Sequence, residues 1–235
     1  MSKILAHRGN DTGPSHSEEN QLPAIRKSLA RGWGLEIDIR RARDGRFYIS
    51  HDPRPTADGL SAEDVCAEFR RYPHATIALN VKEYGDEAEL IEFLTEQHVL
   101  RQTFLFDMEL VEPFPGEMAE RFRNLHPTVR IAARVSDRNE SIDRALGIRA
   151  ASVIWLDEFD SQWSTEQDVR RLKDAGRTVY AVSPDLHKFP LARTRARWAD
   201  FRQWGVDGIC TDYSALLERV MATEPDVVKR EGVTA

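Results

Sequence analysis

Short apolar runs alternate with longer stretches of helical periodicity along the 235 residues of the chain. The runs are rich in β-branched and aromatic residues, and this alternation is typical of strand–helix units around a parallel sheet. Eight runs are predicted to be strands: 3–6, 35–39, 76–81, 103–107, 129–133, 152–156, 178–182 and 208–211. The segment 47–50 is predicted to be a short extra strand after an Asp44–Gly45 turn.

Eight strand–helix repeats in this length favour a closed (β/α)₈ barrel over an open doubly wound sheet, because such barrels typically take about 250 residues. No linker rich in Pro, Gly or Ser divides the chain, so a single barrel is predicted over 1–223, with a polar tail over 224–235. Two helix starts are indicated by local signals. Ser61 is predicted to be an N-cap, and Ser164 with Gln167 has the spacing of a capping box.

Charge and hydropathy exclude several classes of protein. The 33 Lys and Arg residues against 39 Asp and Glu residues give a net charge of −6, which argues against a nucleic-acid partner. No apolar run is long enough to span a membrane, and the apolar part of the N-terminus is too short for a signal peptide, so a cytoplasmic location is expected. Cys66 and Cys210 match no metal-binding spacing and are predicted to be two buried thiols.

Two carboxylates occupy alternate positions of the predicted second strand. Glu36 and Asp38 therefore point to the same face, which in a barrel is the interior. Paired inward carboxylates repel each other and lose hydration, and a hard cation such as Mg²⁺ or Ca²⁺ relieves both penalties. An internal ion pair with Arg8 or Lys82, or a surface strand with both acids in water, explains the same pattern without a metal.

Two histidines lie at strand ends beside these carboxylates. His7 ends the first strand, and His51 follows the extra strand 47–50. Cleavage of a phosphodiester needs a base and an acid, and imidazole serves as either near neutral pH. Arg8 and Lys82 are candidates to hold phosphate oxygens, although either could simply neutralise the local acids.

The chain resembles the glycerophosphodiester phosphodiesterase family, which shares its barrel with phosphatidylinositol-specific phospholipases C and the spider-venom sphingomyelinase D group. The resemblance rests on an ordered set of short motifs from one end of the chain to the other. These are Ala6-His7-Arg8-Gly9, Glu19-Asn20, Glu36-Ile37-Asp38, Asp44-Gly45, His51-Asp52, Asn80-Val81-Lys82, and the run 205–212, which reads GVDGICTD.

The resemblance implies a metal-dependent diester hydrolysis in which each candidate residue has a role. His7 and His51 would be the acid–base pair, and Arg8 and Lys82 would contact the phosphate. The resemblance further implies that a neighbouring substrate hydroxyl attacks first and gives a cyclic phosphate that water then opens. The implied ligands of one divalent cation, Mg²⁺ or Ca²⁺, are Glu36, Asp38 and Asn80.

Two departures from the family pattern stand out. Asn80 occupies the position of a third acidic ligand, so the site has one negative charge fewer and a lower expected metal affinity. The segment between His51 and Asn80 is too short for a sizeable inserted subdomain, which leaves the site open and glycerol specificity unassigned.

The resulting hypothesis is a phosphodiesterase that acts on a small glycerophosphodiester or a related headgroup diester. The alternative is a non-catalytic barrel that binds a phosphorylated ligand, because Asn80 is also what a decayed metal site would show. A sugar isomerase or aldolase on the same fold is a third reading, since fold does not determine function.

Overall fold

The computed structural model describes residues 2–54 and 59–223. Its strands follow the predicted order and closely match the predicted limits. They are β1 (Lys3–His7), β2 (Gly34–Arg41), β3 (Phe47–Ile49), β4 (Leu60–Ser61), β5 (Ile77–Val81), β6 (Thr103–Phe106), β7 (Arg130–Val135), β8 (Val153–Leu156), β9 (Thr178–Val182) and β10 (Gly208–Thr211).

Eight of these strands form a closed parallel barrel. The order around the barrel is β1, β10, β9, β8, β7, β6, β5 and β2, and the parallel pairing of β1 with β2 closes it. β3 pairs antiparallel with β2, and β4 pairs antiparallel with β3, so these two short strands extend the sheet outside the ring. The prediction of a (β/α)₈ barrel is confirmed, and so is the extra strand after β2, whereas β4 was not predicted.

Helices follow the barrel strands and cover their outer faces. They are α1 (Leu22–Ala30), α2 (Ala62–Arg71), α3 (Glu87–Glu96), α4 (Glu117–Leu125), α5 (Ile142–Gly147), α6 (Glu166–Asp174), α7 (Leu191–Trp204) and α8 (Ser214–Ala222). Single turns of 3₁₀ helix occur at Leu100–Gln102, Met108–Leu110 and Pro184–His187. No helix of the described segments is long and apolar enough to cross a bilayer.

The larger core lies between the outer faces of the strands and the helices, and a second core fills the barrel itself. Four aromatic side chains occupy the middle of the barrel. Phe104 lies between Trp155 and Tyr180, with ring centroids 5.9 Å and 4.9 Å away, and Phe106 packs on Trp155 at 4.3 Å. Because packed interiors of this kind leave little free space, the rings separate the two open ends of the barrel.

Two helix starts test the predicted capping signals. Ser61 is the N-cap of α2 and accepts a hydrogen bond from the backbone N–H of Asp64, as predicted. The predicted capping box of Ser164 and Gln167 is wrong, because α6 begins one residue later with Thr165 as N-cap and Asp168 as its reciprocal partner. Ser164 is buried instead, and its hydroxyl donates to Glu158 Oε1 at 2.8 Å.

Cys66 and Cys210 are both buried free thiols, as predicted. Burial raises the pKa of Cys66 to about 12, which keeps the thiol protonated and unreactive. The predicted polar tail over 224–235 lies outside the described residues.

Candidate active site

The carboxyl ends of the barrel strands surround a cavity of about 330 Å³, called here the carboxyl-end cavity. In barrels of this kind functional groups lie at this end, on the loops that follow the strands. All seven residues that the sequence predicts for the site line this cavity: His7, Arg8, Glu36, Asp38, His51, Asn80 and Lys82. The fold therefore brings together residues that are up to 75 positions apart in sequence, as the difference between 82 and 7 shows.

Strand register explains why these side chains meet. β1 pairs with β2 so that His7 lies beside Glu36, and β2 pairs with β5 so that Asp38 lies beside Asn80. Glu36 and Asp38 are two residues apart on β2 and point to the same side. Only 3% of Glu36 and 1% of Asp38 is exposed, so both carboxylates are buried at the cavity wall.

The turn after β1 has an unusual backbone. Arg8 adopts φ 52° and Gly9 φ 84°, and the Arg8 N–H donates to the carbonyl of Glu36 at 2.8 Å. A Cβ on Gly9 would lie 3.2 Å from two atoms of Ala24, so this position favours glycine on both conformational and steric grounds. A non-glycine residue with positive φ is uncommon, and such residues cluster at functional sites.

His7 is held by a carboxylate. Its Nδ1 lies 2.6 Å from Oδ1 of Asp212, which also accepts from the side chain of Asn10 at 2.8 Å. Burial would raise the pKa of Asp212, but the hydrogen bond and the charge of His7 outweigh burial and lower it. The Asp212 carboxylate is therefore the acceptor in this pair. The proton of neutral His7 is therefore on Nδ1, and Nε2, 3.7 Å from Glu36 Oε2, is free to accept a proton.

The charge around His7 favours its protonated form. Burial of the imidazole opposes protonation, but the hydrogen bond to Asp212 and the negative charge of Glu36 outweigh burial. The pKa of His7 is therefore raised above its ordinary value. A histidine with this pairing is both oriented and made more basic, which suits a general base.

Asp212 is a site residue that the sequence reasoning left without a role. Its backbone N–H donates to Asp185 Oδ2 at 2.9 Å, and the hydroxyl of Thr211 donates to the same carboxylate at 2.9 Å and 3.0 Å. Asp185 thus fixes the end of β10 and, through Asp212, the orientation of His7. Its position directly after the last predicted strand, at the end of the run 205–212, is the signal that could have found it.

His51 is positioned by its main chain. Its carbonyl accepts two hydrogen bonds from Arg40, at 3.0 Å from Nε and 2.7 Å from Nη2, and Arg40 also pairs with Glu83. The imidazole Nδ1 lies 2.8 Å from Asp52 Oδ1, and 46% of the His51 side chain is exposed. The second histidine therefore lies at the open mouth of the cavity, while His7 lies inside it.

Asp38 forms ion pairs with both of the predicted phosphate-binding residues, Arg8 and Lys82. Lys82 Nζ lies 3.0 Å from its Oδ1, and Arg8 Nε lies 3.2 Å from its Oδ2, which also accepts from Asn20 at 3.2 Å. Burial would raise the pKa of Asp38, but Lys82 and Arg8 outweigh burial and lower it. The structure thus contains the internal ion pairs that the sequence offered as an alternative, at the mouth of a cavity that both cations also line.

Glu36 is less well compensated than Asp38. Burial, followed by repulsion from Asp38, raises the pKa of Glu36 to about 7. Its carboxylate therefore carries an electrostatic penalty that a cation in the cavity would offset.

Two buried oxygens at this wall, Glu36 Oε2 and Asn80 Oδ1, have no hydrogen-bond donor, and Asp38 Oδ1 has only the ion pair with Lys82. Asn80 donates from Nδ2 to Asp107 Oδ2 at 2.9 Å, which leaves its amide oxygen as the free acceptor. Glu36 and Asn80 thus each present a free oxygen, and Asp38 presents one that is paired only with Lys82. An all-oxygen set of this kind fits a hard cation such as Mg²⁺ or Ca²⁺. No group of three or more His, Cys, Asp or Glu side chains is arranged to hold an ion within 2–54 and 59–223, and the Asn80 amide oxygen is a third candidate ligand beside the two carboxylates.

The opposite wall of the carboxyl-end cavity contains groups that the sequence did not identify. Arg134 Nη1 lies 3.2 Å from Asp107 Oδ1, and its Nη2 donates to Glu140 at 2.9 Å. His187 Nε2 lies 2.5 Å from Asp157 Oδ1. Asp107, Arg134 and Asp157 each lie at or directly after the end of a predicted strand, which is the signal that could have found them. His187 lies in a 3₁₀ turn after β9 that no periodicity indicated.

Comparisons with known proteins agree with this architecture. No family model matches the sequence. A curated relative, the Uncharacterized protein YqiK of Bacillus subtilis (strain 168), is 38% identical over 55 residues, which is 23% of this chain. The chain spans only about a fifth (21%) of the length of that relative, so the relative says little about the whole.

Solved structures cover nearly the whole chain. A putative glycerophosphodiester phosphodiesterase from Galdieria sulphuraria has a TM-score of 0.74 at 17% identity, covering 95% of this chain and 98% of that one. One from Silicibacter pomeroyi has a TM-score of 0.71 at 17% identity, with 94% and 93% covered. A phosphodiesterase from Oleispira antarctica, in complex with the product sn-glycerol-3-phosphate, has a TM-score of 0.66 at 17% identity, with 95% and 98% covered. The chain therefore has the (β/α)₈ barrel fold of the solved glycerophosphodiester phosphodiesterases.

Proposed function

We propose that the chain is a phosphodiesterase that hydrolyses a small glycerophosphodiester or a related headgroup diester with two histidines and one divalent cation. The observation that carries this proposal is the carboxyl-end cavity, where two histidines flank the buried oxygens of Glu36, Asp38 and Asn80. Its volume of about 330 Å³ is within the range for a small-molecule pocket. The likeness to phosphodiesterase structures over almost the whole chain supports the same reaction class.

In this proposal His7 is the general base. Its Nε2 takes the proton from the attacking hydroxyl, either a neighbouring hydroxyl of the substrate or water, as the new phosphorus–oxygen bond forms. Asp212 keeps the ring oriented and stabilises the imidazolium that results, because its carboxylate stays on Nδ1 throughout. The raised pKa of His7 makes this proton transfer more favourable.

His51 is the general acid. The bond from phosphorus to the leaving alcohol breaks, and the imidazole of His51 protonates the leaving oxygen, so no alkoxide is released. Its place at the mouth of the cavity suits a leaving group that departs toward solvent. When water is the attacking group, the two histidines then exchange protons with solvent and return to their starting states. When a substrate hydroxyl attacks, the product is a cyclic phosphate: His51 then takes the proton of an attacking water, the bond from phosphorus to the ring oxygen breaks, and His7 protonates that oxygen, which restores both histidines.

Arg8 and Lys82 hold the phosphoryl oxygens in this scheme. Both line the cavity and both are within 3.2 Å of Asp38, so their charge is concentrated at the site. Glu36, Asp38 and Asn80 would hold the cation, Mg²⁺ or Ca²⁺, which when bound neutralises charge on the phosphoryl oxygens as a Lewis acid.

Turnover of bis(p-nitrophenyl) phosphate tests the reaction class directly. We expect release of p-nitrophenol in the presence of Mg²⁺ or Ca²⁺ and little release after chelation. A glycerophosphodiester and a headgroup diester without glycerol then define the substrate class. A folded protein that binds a phosphomonoester in the carboxyl-end cavity but turns over none of these diesters is the non-catalytic barrel, and this result would overturn the proposal.

A further inference from the structure

The opposite end of the barrel carries a larger cavity of about 610 Å³. It lies at the amino ends of the strands and is called here the amino-end cavity. Its polar and charged lining consists of Ser2, Lys3, Arg130, Thr178, Tyr180, Arg202 and Asp207. No step of the proposed hydrolysis uses any of these residues.

Positive charge dominates the amino-end cavity. Lys3, Arg130 and Arg202 line it, and within 2–54 and 59–223 none of the three has a carboxylate at ion-pair distance. Asp207 is the one acid of the lining, and its carboxylate is already neutralised by Lys173 Nζ at 3.0 Å and 3.1 Å. The lining therefore carries a surplus of cations in a protein whose net charge is −6.

The three cations have only neutral partners. Lys3 Nζ donates to the hydroxyl of Thr76 at 2.6 Å, and Arg202 Nη1 donates to the carbonyl of Thr223 at 3.0 Å. Arg130 makes two long hydrogen bonds of 3.4 Å to backbone carbonyls. Burial and then the charge of Arg130 lower the pKa of Lys3, and the opposing charge of Asp207 does not outweigh them.

The aromatic rings inside the barrel separate this cavity from the carboxyl-end cavity. Tyr180 lines the amino-end cavity, whereas Phe106 and Trp155 line the other one. A Cβ on Gly208 would lie 2.6 Å from the Tyr180 ring, so the glycine makes room for the tyrosine at this end. Burial raises the pKa of Tyr180, and the phenol therefore keeps its proton as a donor.

We propose that the amino-end cavity is a second anion site that binds a phosphate group through Lys3, Arg130 and Arg202, with the Tyr180 phenol as a further donor. Arginine guanidinium groups and a lysine ammonium are the side chains that bind phosphate oxygens most strongly. The volume of about 610 Å³ admits inorganic phosphate or a phosphomonoester. The site is independent of diester hydrolysis, since the two cavities share no lining residue.

A ¹H–¹⁵N NMR titration with inorganic phosphate at constant ionic strength and mildly alkaline pH tests this site by location. The backbone amides of Gly205 and Asp207 report the amino-end cavity, and those of Arg8 and Gly9 report the carboxyl-end cavity. We expect saturable shifts of the Gly205 and Asp207 amides at millimolar phosphate or below. A parallel titration with sn-glycerol 3-phosphate distinguishes the two sources: tighter binding indicates a phosphomonoester, and equal binding indicates free phosphate.

Two variants and a matched control assign the ligand contacts. Arg130→Gln and Arg202→Gln should each raise the midpoint of the Gly205 and Asp207 shifts by about tenfold or more. Arg195→Gln removes the same charge from an exposed position of the same helix as Arg202 and should leave the midpoint unchanged. Thermal melts establish that each variant is folded.

Several results would overturn the site. Shifts that do not saturate, equal shifts with chloride in place of phosphate, or the same midpoint in wild type and both arginine variants each show that no phosphate site is present. The outcome does not depend on activity, because the Arg8 and Gly9 amides and diester turnover are measured separately from the Gly205 and Asp207 amides.

Discussion

At the carboxyl end of the barrel the buried oxygens Glu36 Oε2 and Asn80 Oδ1 have no donor, whereas at the amino end Lys3, Arg130 and Arg202 form no ion pair within the described segments. Buried charged side chains elsewhere in the described segments form ion pairs. Arg197, for example, is buried and donates two hydrogen bonds to the carboxylate of Glu158 and two more to Ser164. An unpaired charge that lines a cavity attracts a ligand of opposite charge, so both open ends of the barrel are candidate binding sites.

The two ends of the barrel carry different charged groups and therefore suit different ligands. The carboxyl end combines carboxylates with cations and histidines, which suits a cation and a phosphodiester together. The amino end offers cations and a phenol and no free carboxylate among the described lining residues, which suits an anion alone. The same barrel interior therefore supports chemistry at one end and simple binding at the other.

The largest expected effect tests whether chemistry is confined to the carboxyl end. His7→Ala and His51→Ala should each lower kcat by about 10²–10⁴-fold with the fold retained, because each removes a general acid or base. Steady-state turnover of a diester at saturating metal measures the effect. His74→Ala, which removes an exposed histidine outside the cavity, is the control and should keep wild-type turnover. Near-normal kcat in a folded His7 or His51 variant would rule out the acid–base pair.

The second test concerns Glu36, where a substitution is expected to lower activity and raise stability. Glu36→Gln should abolish metal-dependent turnover and at the same time raise Tm in metal-free buffer at pH 8, because it removes a buried charge repelled by Asp38. A gain of about 1 kcal/mol corresponds to about 2–4 °C for a chain of this size. Calorimetry in chelator and turnover with added Mg²⁺ or Ca²⁺ provide the two measurements. A lower Tm in Glu36→Gln, together with turnover that still depends on metal, would mean that Glu36 supports the fold and does not bind the metal.

The third test restores charge to the weakened ligand. Asn80→Asp should lower the metal concentration that gives half-maximal activity, since affinity for a hard cation rises with ligand charge. The structure adds a second expectation. The new carboxylate would face Asp107, which now accepts from Asn80 at 2.9 Å, so the variant should be less stable than wild type in chelator and gain more from metal.

Metal titrations of activity and of Tm check both expectations for Asn80→Asp. Asn124→Asp adds the same charge at an exposed position of α4 and is the matched control. An unshifted midpoint in Asn80→Asp would place Asn80 outside the ligand set and would point to Asp107 or water as the remaining ligand.

The smallest expected effect concerns Glu109, another carboxylate at the carboxyl end. Burial raises its pKa to about 7, so the folded state binds this proton more tightly than the unfolded state does. Its contribution to stability is therefore complete at acid pH and is lost as pH rises toward 7. The free energy of unfolding of Glu109→Gln, relative to that of wild type, should therefore increase by on the order of 1–2 kcal/mol as pH rises from 5 to 8. Urea unfolding of both proteins at the two pH values measures this difference, and a constant difference would contradict it.

The sequence predicted the site at the carboxyl end of the barrel but did not indicate the cavity at the amino end. Glu36 and Asp38 alternate within a strand, and strand periodicity alone places both side chains inside a barrel. His7 was identified because it directly ends a strand. The amino-end cavity has no such signal, since Lys3, Arg130 and Arg202 come from two strands and a helix whose register only the folded barrel sets.

Local competition explains the remaining difference between prediction and structure. Ser164 and Thr165 are adjacent hydroxyl residues, and either can cap the helix that follows. Thr165 does so because Ser164 is drawn into the buried pair of Glu158 and Arg197. Glu158 and Arg197 are 39 positions apart in sequence, so a pairing that also engages Ser164 cannot be inferred from spacing within a single turn.

The contrast in how the two histidines are fixed has a consequence for substrate range. The His7 ring is locked by Asp212, whereas His51 is tethered through its carbonyl and its imidazole is nearly half exposed. Ordering such a side chain on encounter with a substrate costs about 1 kcal/mol of conformational entropy. In return the proton donor follows the leaving oxygen of alcohols that differ in size and shape, so we expect tolerance toward the departing alcohol and strictness toward the group that His7 activates.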